Sequence, residues 1–145
     1  MKLFQIEEPD GGPADANVPG AAIGIDVGAA QVEVAFSVGG NALILMDHKG
    51  FERVLAAPNS MAEQAEWKEL LEAVKVRAER ALSRPVTHAV IVLAETAEPR
   101  VAGRLRGAAE AAGLNVLSVA TRTELPVAES PAMAAAMLAE DLAPR

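Results

Sequence analysis

Residues 21–38 constrain the fold more than any other stretch of this chain. Apolar residues alternate with small or polar residues over 23–26 and again over 32–36, and Gly28 lies between the two runs. A period of two is typical of a β-strand with one buried face, and a glycine between two such runs favours a tight turn. The stretch therefore predicts a strand, a turn and a second strand, with the Asp26 carboxylate just before the turn.

The remaining periodicity predicts an alternation of strands and helices. Further strands are predicted at 42–46, 86–94 and 116–120, with a short edge strand at 51–55, and helices at 61–82, 99–112 and 131–142. Ser60 is predicted to cap the first helix, with Glu63 as the acid of a capping box. The first three strands are joined by short turns, whereas the later ones are separated by helices. The pattern predicts an α/β fold: a five-stranded mixed sheet, with an antiparallel meander plus two parallel strands and helices on both faces.

Length and composition indicate one domain and exclude several function classes. The chain has 145 residues, a net charge of −7 and no cysteine. We predict a disordered acidic leader at 1–20, a single domain at 21–142 and a short tail at 143–145. The negative charge opposes binding to nucleic acid or an anionic membrane surface. The lack of cysteine, of a signal peptide and of a spanning segment favours a cytoplasmic protein.

Five short segments occur in an order that matches a known family. They are Ile-Gly-Ile-Asp-Val-Gly at 23–28, Ala-Pro-Asn-Ser at 57–60, the helix end and strand at 82–92, the run with Ala-Gly-Leu-Asn-Val at 108–116, and Glu-Ser-Pro-Ala-Met-Ala-Ala-Ala at 129–136. Together they resemble the first lobe of the ATPase domain of DnaK-type heat-shock chaperones. That family belongs to the actin and sugar-kinase superfamily, with a ribonuclease H-like fold.

The resemblance implies a nucleotide site in the first hairpin. Its residues would be Gly24, Asp26, Gly28, Ala29 and Ala30, with ATP or ADP as the nucleotide and Asp26 holding Mg²⁺ through water. This chain departs from the family there, because the family has two threonines where Ala29 and Ala30 stand.

Larger departures follow along the chain. The family's inserted subdomain, with its catalytic lysine, would lie between Ser60 and Trp67, where this chain has almost nothing. The second lobe and the substrate-binding domain have no counterpart, and the loop at 121–128 is longer. The departures favour a chain without ATPase activity.

Three functions are compatible with these observations. The first is a truncated, non-catalytic interaction or regulatory module. It is expected to self-associate or to bind a protein partner, because loss of the second lobe leaves apolar surface near the 116–120 strand and the last helix. The second is a weak Mg-nucleotide binding protein that needs a dimer or a partner lobe.

The third is a metal-dependent, ribonuclease H-like nuclease. Asp26 and Glu95 would end adjacent strands, with Glu124 or Glu129 as a further ligand. The acidic charge opposes a nuclease, which needs a basic surface. His48 and His88 are interpreted as a solvated turn residue and a strand-edge residue.

Overall fold

The five strands form one mixed sheet with helices on both faces. A computed structural model describes residues 20–28, 31–45, 63–95, 99–125 and 128–143. The strands are β1 (Ala21–Asp26), β2 (Glu33–Val38), β3 (Asn41–Ile44), β4 (Val86–Leu93) and β5 (Asn115–Thr121). The helices are α1 (Gln64–Leu82), α2 (Pro99–Ala111) and α3 (Pro131–Leu142), and a 3₁₀ turn (Arg122–Glu124) follows β5.

The order of the strands across the sheet is β3-β2-β1-β4-β5. β1, β2 and β3 pair antiparallel, whereas β4 pairs parallel with both β1 and β5. At the centre Ile25 lies opposite Val34 on one side and Ile91 on the other. The predicted fold class is confirmed, including the meander and the two parallel strands behind helical crossovers.

β1 has a different helix layer on each face. Ile23 and Ile25 belong to the main core with Leu71 of α1 and Leu105 of α2. Ala22, on the opposite face, belongs to a smaller cluster with alanines of α3. Because side chains alternate along a strand, Asp26 leaves β1 on the same side as Ala22, toward α3.

The β2–β3 turn is fixed by a carboxylate of α3. Gly39 and Gly40 have φ angles of 61° and 81°, which favour glycine. Glu140 accepts hydrogen bonds from the backbone N–H groups of both glycines, that of Gly40 at 3.0 Å, and from the Ser37 hydroxyl at 2.8 Å. These hydrogen bonds connect the C-terminal end of α3 to the β2–β3 turn.

Two predicted boundaries are wrong. α1 begins at Gln64 with Glu63 as its N-cap, and Glu66 Oε1 accepts the Glu63 N–H at 3.3 Å. Ser60 is therefore not the cap, because this Glu-x-x-Glu box starts the helix three residues later. β3 ends at Ile44 rather than Met46.

Several predictions lie outside the described residues: the leader over 1–19, the edge strand at 51–55, the segment at 57–60 and the last two residues of the tail. Within the residues that are described, no helix combines the length and the apolar character needed to cross a membrane.

Candidate functional site

The candidate site lies at the carboxyl end of β1. Asp26 is the last residue of this central strand, between Glu33 of β2 and Val92 of β4. Asp26 is only 3% exposed. A buried carboxylate is unfavourable unless hydrogen bonds or an opposite charge compensate for the lost water. The contacts of Asp26 therefore decide what this site can do.

Both oxygens of Asp26 face groups of the chain itself. The backbone N–H of Gly28 donates to Oδ1 at 2.8 Å, which closes the turn after β1. The guanidinium of Arg122 lies on the other side, with Nη2 3.9 Å from Oδ2. Arg122 is half-exposed, so its charge is shared between the carboxylate and solvent. Within the described part of the chain, the Asp26 carboxylate thus accepts a hydrogen bond from Gly28 and pairs with Arg122.

The two glycines of the first hairpin are explained by close packing. A Cβ at Gly24 would lie 2.4 Å from the backbone nitrogen of Ala136 and 2.5 Å from the carbonyl oxygen of Ala132, because α3 lies directly against β1. A Cβ at Gly28 would lie 2.9 Å from the backbone nitrogen of Ala94. Their predicted binding role stays a prediction, and Ala29 and Ala30 lie outside the described residues.

Glu95 holds the 3₁₀ turn that carries Arg122. The backbone N–H and the hydroxyl of Thr123 each donate to the Glu95 carboxylate at 3.1 Å. The backbone hydrogen bond from Thr123 is the main cause that lowers the pKa of Glu95 below its ordinary value, against a smaller opposing effect of desolvation. The carboxylate is therefore engaged with the turn.

Glu124 closes the same turn from within. Its Oε1 accepts the backbone N–H of Thr121 at 2.8 Å, which is one half of a capping box, and also accepts the Thr121 hydroxyl at 3.2 Å. The Thr-x-x-Glu spacing at 121–124 is the sequence signal that indicates this turn. Neither the turn nor the role of Arg122 is among the predictions from the sequence, in which Glu124 is a possible metal ligand.

The carboxylates proposed for a nuclease do not come together as a metal site. Among the described residues, no three acidic or histidine side chains are grouped so that they could hold a metal ion. Asp26 and Glu95 contact different residues of the 3₁₀ turn, and Glu129 is exposed. His88 Nδ1 lies 2.7 Å from the hydroxyl of Thr87. His48 lies outside the described residues.

An open depression lies beside Arg122. Its volume is about 360 Å³, and it is bounded by the 3₁₀ turn and the start of α3. Ser130 caps α3 there by accepting the backbone N–H of Met133 at 3.2 Å. The lining residues are Arg122, Thr123, Leu125, Ala128, Glu129, Ser130, Pro131 and Ala134. Among the lining residues that the structure describes, Arg122 and Glu129 are the charged ones, and their charges are opposite.

The described residues do not fit a Mg²⁺-nucleotide in this arrangement. Mg²⁺ binds oxygen ligands at about 2.0–2.1 Å in octahedral geometry and usually takes one or two carboxylates. Here the guanidinium of Arg122 faces Oδ2 of Asp26, and the nearby carboxylates of Glu95 and Glu124 are bonded to the turn. A cation approaching Asp26 would meet a positive charge that is already present.

The sheet order and the helices on both faces define the fold of one actin-like ATPase lobe. Among solved structures, the chain is similar to the crystal structure of the ethanolamine utilization protein EutJ from Carboxydothermus hydrogenoformans, with a TM-score of 0.50 and 14% identity. The match covers 77% of this chain and 40% of the EutJ chain, so the chain spans less than half of that protein. No family model and no curated protein matches the sequence. At this identity the likeness shows the fold alone.

Proposed function

We propose that this chain, which has the fold of one actin-like ATPase lobe, works as a non-catalytic protein-interaction module and self-associates. The proposal is supported by the observation that the acidic residues at the carboxyl ends of β1 and β4 are bonded to other groups of the chain. Asp26 faces Arg122 and Gly28, and Glu95 is bonded to Thr123. Carboxylates bonded in this way stabilise the turns at the ends of the strands, whereas a catalytic acid or base has to come within hydrogen-bond distance of a substrate.

The surface that best suits association is the β5 edge. In the described part of the chain the sheet ends at β5, and six of its seven residues are partly or fully exposed, whereas most of β4 is buried. Val116, Leu117 and Val119 contribute apolar side chains that are only partly buried. The strand contains no charge and no proline, which are the residues that usually protect an edge strand from pairing.

An exposed edge strand binds another strand through its backbone groups, and apolar side chains on the two faces add burial. A second copy of the same strand satisfies both requirements. We therefore place the self-association at β5, where two sheets would join into one.

Light scattering coupled to gel filtration tests this proposal over a range of protein concentrations. We expect a dimer for the unchanged protein and a monomer for Ser118→Lys, because a lysine in the middle of β5 opposes pairing with an identical strand. Ala111→Lys, at an exposed position of α2, adds the same charge away from the edge and should remain dimeric. A monomeric unchanged protein at high concentration would contradict the proposal.

The fold favours one other function, Mg-nucleotide binding that needs a dimer or a partner lobe. The likeness to an ATPase lobe supports it. Isothermal titration calorimetry with Mg-ATP and Mg-ADP separates the two functions. Heat of binding that disappears in Asp26→Asn would support nucleotide binding. No heat at millimolar nucleotide, together with a dimer in light scattering, would support the interaction module.

A further inference from the structure

The turn after β5 is fixed on both sides of Arg122. Thr121, which precedes Arg122, is bound through its backbone N–H by Glu124. Thr123, which follows it, is bound through its N–H and hydroxyl by Glu95, at the end of the β4 segment. The backbone of Arg122 therefore has little freedom to move away from Asp26. The carboxylates of Glu95 and Glu124 thereby position Arg122 opposite Asp26.

We propose that Arg122 is a built-in cation that closes the Asp26 site to divalent metal ions. Asp26 is 3% exposed, and its Oδ2 has the Arg122 guanidinium 3.9 Å away, while Oδ1 accepts the Gly28 N–H. A positive charge at this distance already compensates the carboxylate and repels a second cation. The fold implies a metal ion at this place, but Asp26 paired with Arg122 does not fit one. The role of Arg122 explains this disagreement.

Removal of the Arg122 guanidinium should make Asp26 accessible to a divalent cation. Oδ2 would then lack an opposite charge in a site where burial makes an uncompensated carboxylate unfavourable, so a cation that reaches it would be stabilised. The depression of about 360 Å³ beside Arg122 opens to solvent, so a hydrated ion has a route to the carboxylate. Small divalent cations bind through one or two carboxylates while keeping several waters. Arg122→Gln should therefore gain affinity for Mn²⁺ at Asp26.

Electron paramagnetic resonance of free Mn²⁺ measures this gain without any activity. We expect Arg122→Gln to bind one Mn²⁺ per chain at least about tenfold more tightly than the unchanged protein, which is about 1.4 kcal/mol. The double variant Arg122→Gln with Asp26→Asn should lose this binding. Arg106→Gln, at an exposed position of α2, makes the same change in net charge and should bind like the unchanged protein. Equal binding by the two single arginine variants would overturn the proposal.

Two further comparisons keep the proposal falsifiable if Arg122→Gln fails to fold. Arg122→Lys keeps the positive charge, so it should bind Mn²⁺ as weakly as the unchanged protein. The unchanged protein and Asp26→Asn should also bind Mn²⁺ equally weakly. Tighter binding by the unchanged protein than by Asp26→Asn would show that Asp26 is open to metal ions and would refute the role of Arg122. The result is independent of self-association through β5.

Discussion

The substitution Gly24→Ala tests whether this glycine serves packing. The added methyl group would point from β1 into α3, 2.4 Å from the nitrogen of Ala136 and 2.5 Å from the carbonyl oxygen of Ala132. Ordinary contacts of a Cβ begin at 3.4 Å, so a gap of about 1 Å must open. Both atoms belong to the backbone of a helix, and no rotamer change can relieve the clash. α3 as a whole has to move away from the sheet.

That movement separates two tightly packed surfaces. α3 contacts β1 through alanines that are almost fully buried, so a shift of the helix loosens contacts along its whole length. Overpacking a core typically costs 1–3 kcal/mol, and we expect about 3 kcal/mol here because the clash is with backbone. For a domain of this size that corresponds to a fall of roughly 6–12 °C in Tm. Loss of chain entropy in the unfolded state offsets only about 0.4–1 kcal/mol.

Urea unfolding followed by circular dichroism measures the change in the free energy of unfolding. Gly103→Ala is the matched control, because Gly103 lies within α2 and a Cβ there would have no neighbour within 4 Å. Helix propensity should make this control more stable by about 0.5–1 kcal/mol. A Gly24→Ala protein within about 0.5 kcal/mol of the unchanged one, which is the range of surface substitutions, would refute the packing argument.

Three further predictions concern charged and capping groups. Glu140→Gln should lower the free energy of unfolding, measured in urea, by about 1–2 kcal/mol, because an amide cannot accept all the hydrogen bonds that the carboxylate accepts. The control is Asp141→Asn at the exposed neighbouring position, which should leave the free energy of unfolding nearly unchanged. Ser130→Ala should lower it by about 1 kcal/mol through loss of the α3 cap. Folding lowers the pKa of Glu95 below its ordinary value of 4.5. The contribution of Glu95 to the stability of the folded state is therefore present above pH 4.5 and is lost as the pH falls through the lower pKa of the folded state. The amide resonance of Thr123 should therefore shift on acidification, and this shift should be absent in Glu95→Gln.

Local patterns were sufficient to predict the fold. The alternation over 21–26 reflects two different helix layers: large residues at 23 and 25 face α1 and α2, and small residues at 22 and 24 face α3. The continuous apolar run of β4 reflects burial on both faces of a central strand. Ser130 and Pro131 indicated the start of α3, and the structure confirms it. Each of these signals arises from residues that are close together in the sequence.

The candidate site depends on contacts that no local pattern reports. Arg122 reaches Asp26 across almost a hundred positions of sequence, and Glu140 binds Gly39 and Gly40 over a similar separation. Periodicity shows which face of an element is buried, but it does not show which charged side chain lies against which carboxylate. The local pattern therefore indicates Asp26 but not Arg122, the group that compensates its charge.

The motif of the first hairpin is weak evidence for a ligand because each of its residues has another physical reason to be there. Gly24 leaves room for α3, and Gly28 leaves room for the chain after β4 and donates to Asp26. Asp26 in turn closes that turn and pairs with Arg122. A chain that binds no nucleotide would still need all three residues for its stability. The residue that distinguishes a closed edge from a metal site is Arg122, which lies outside the motif.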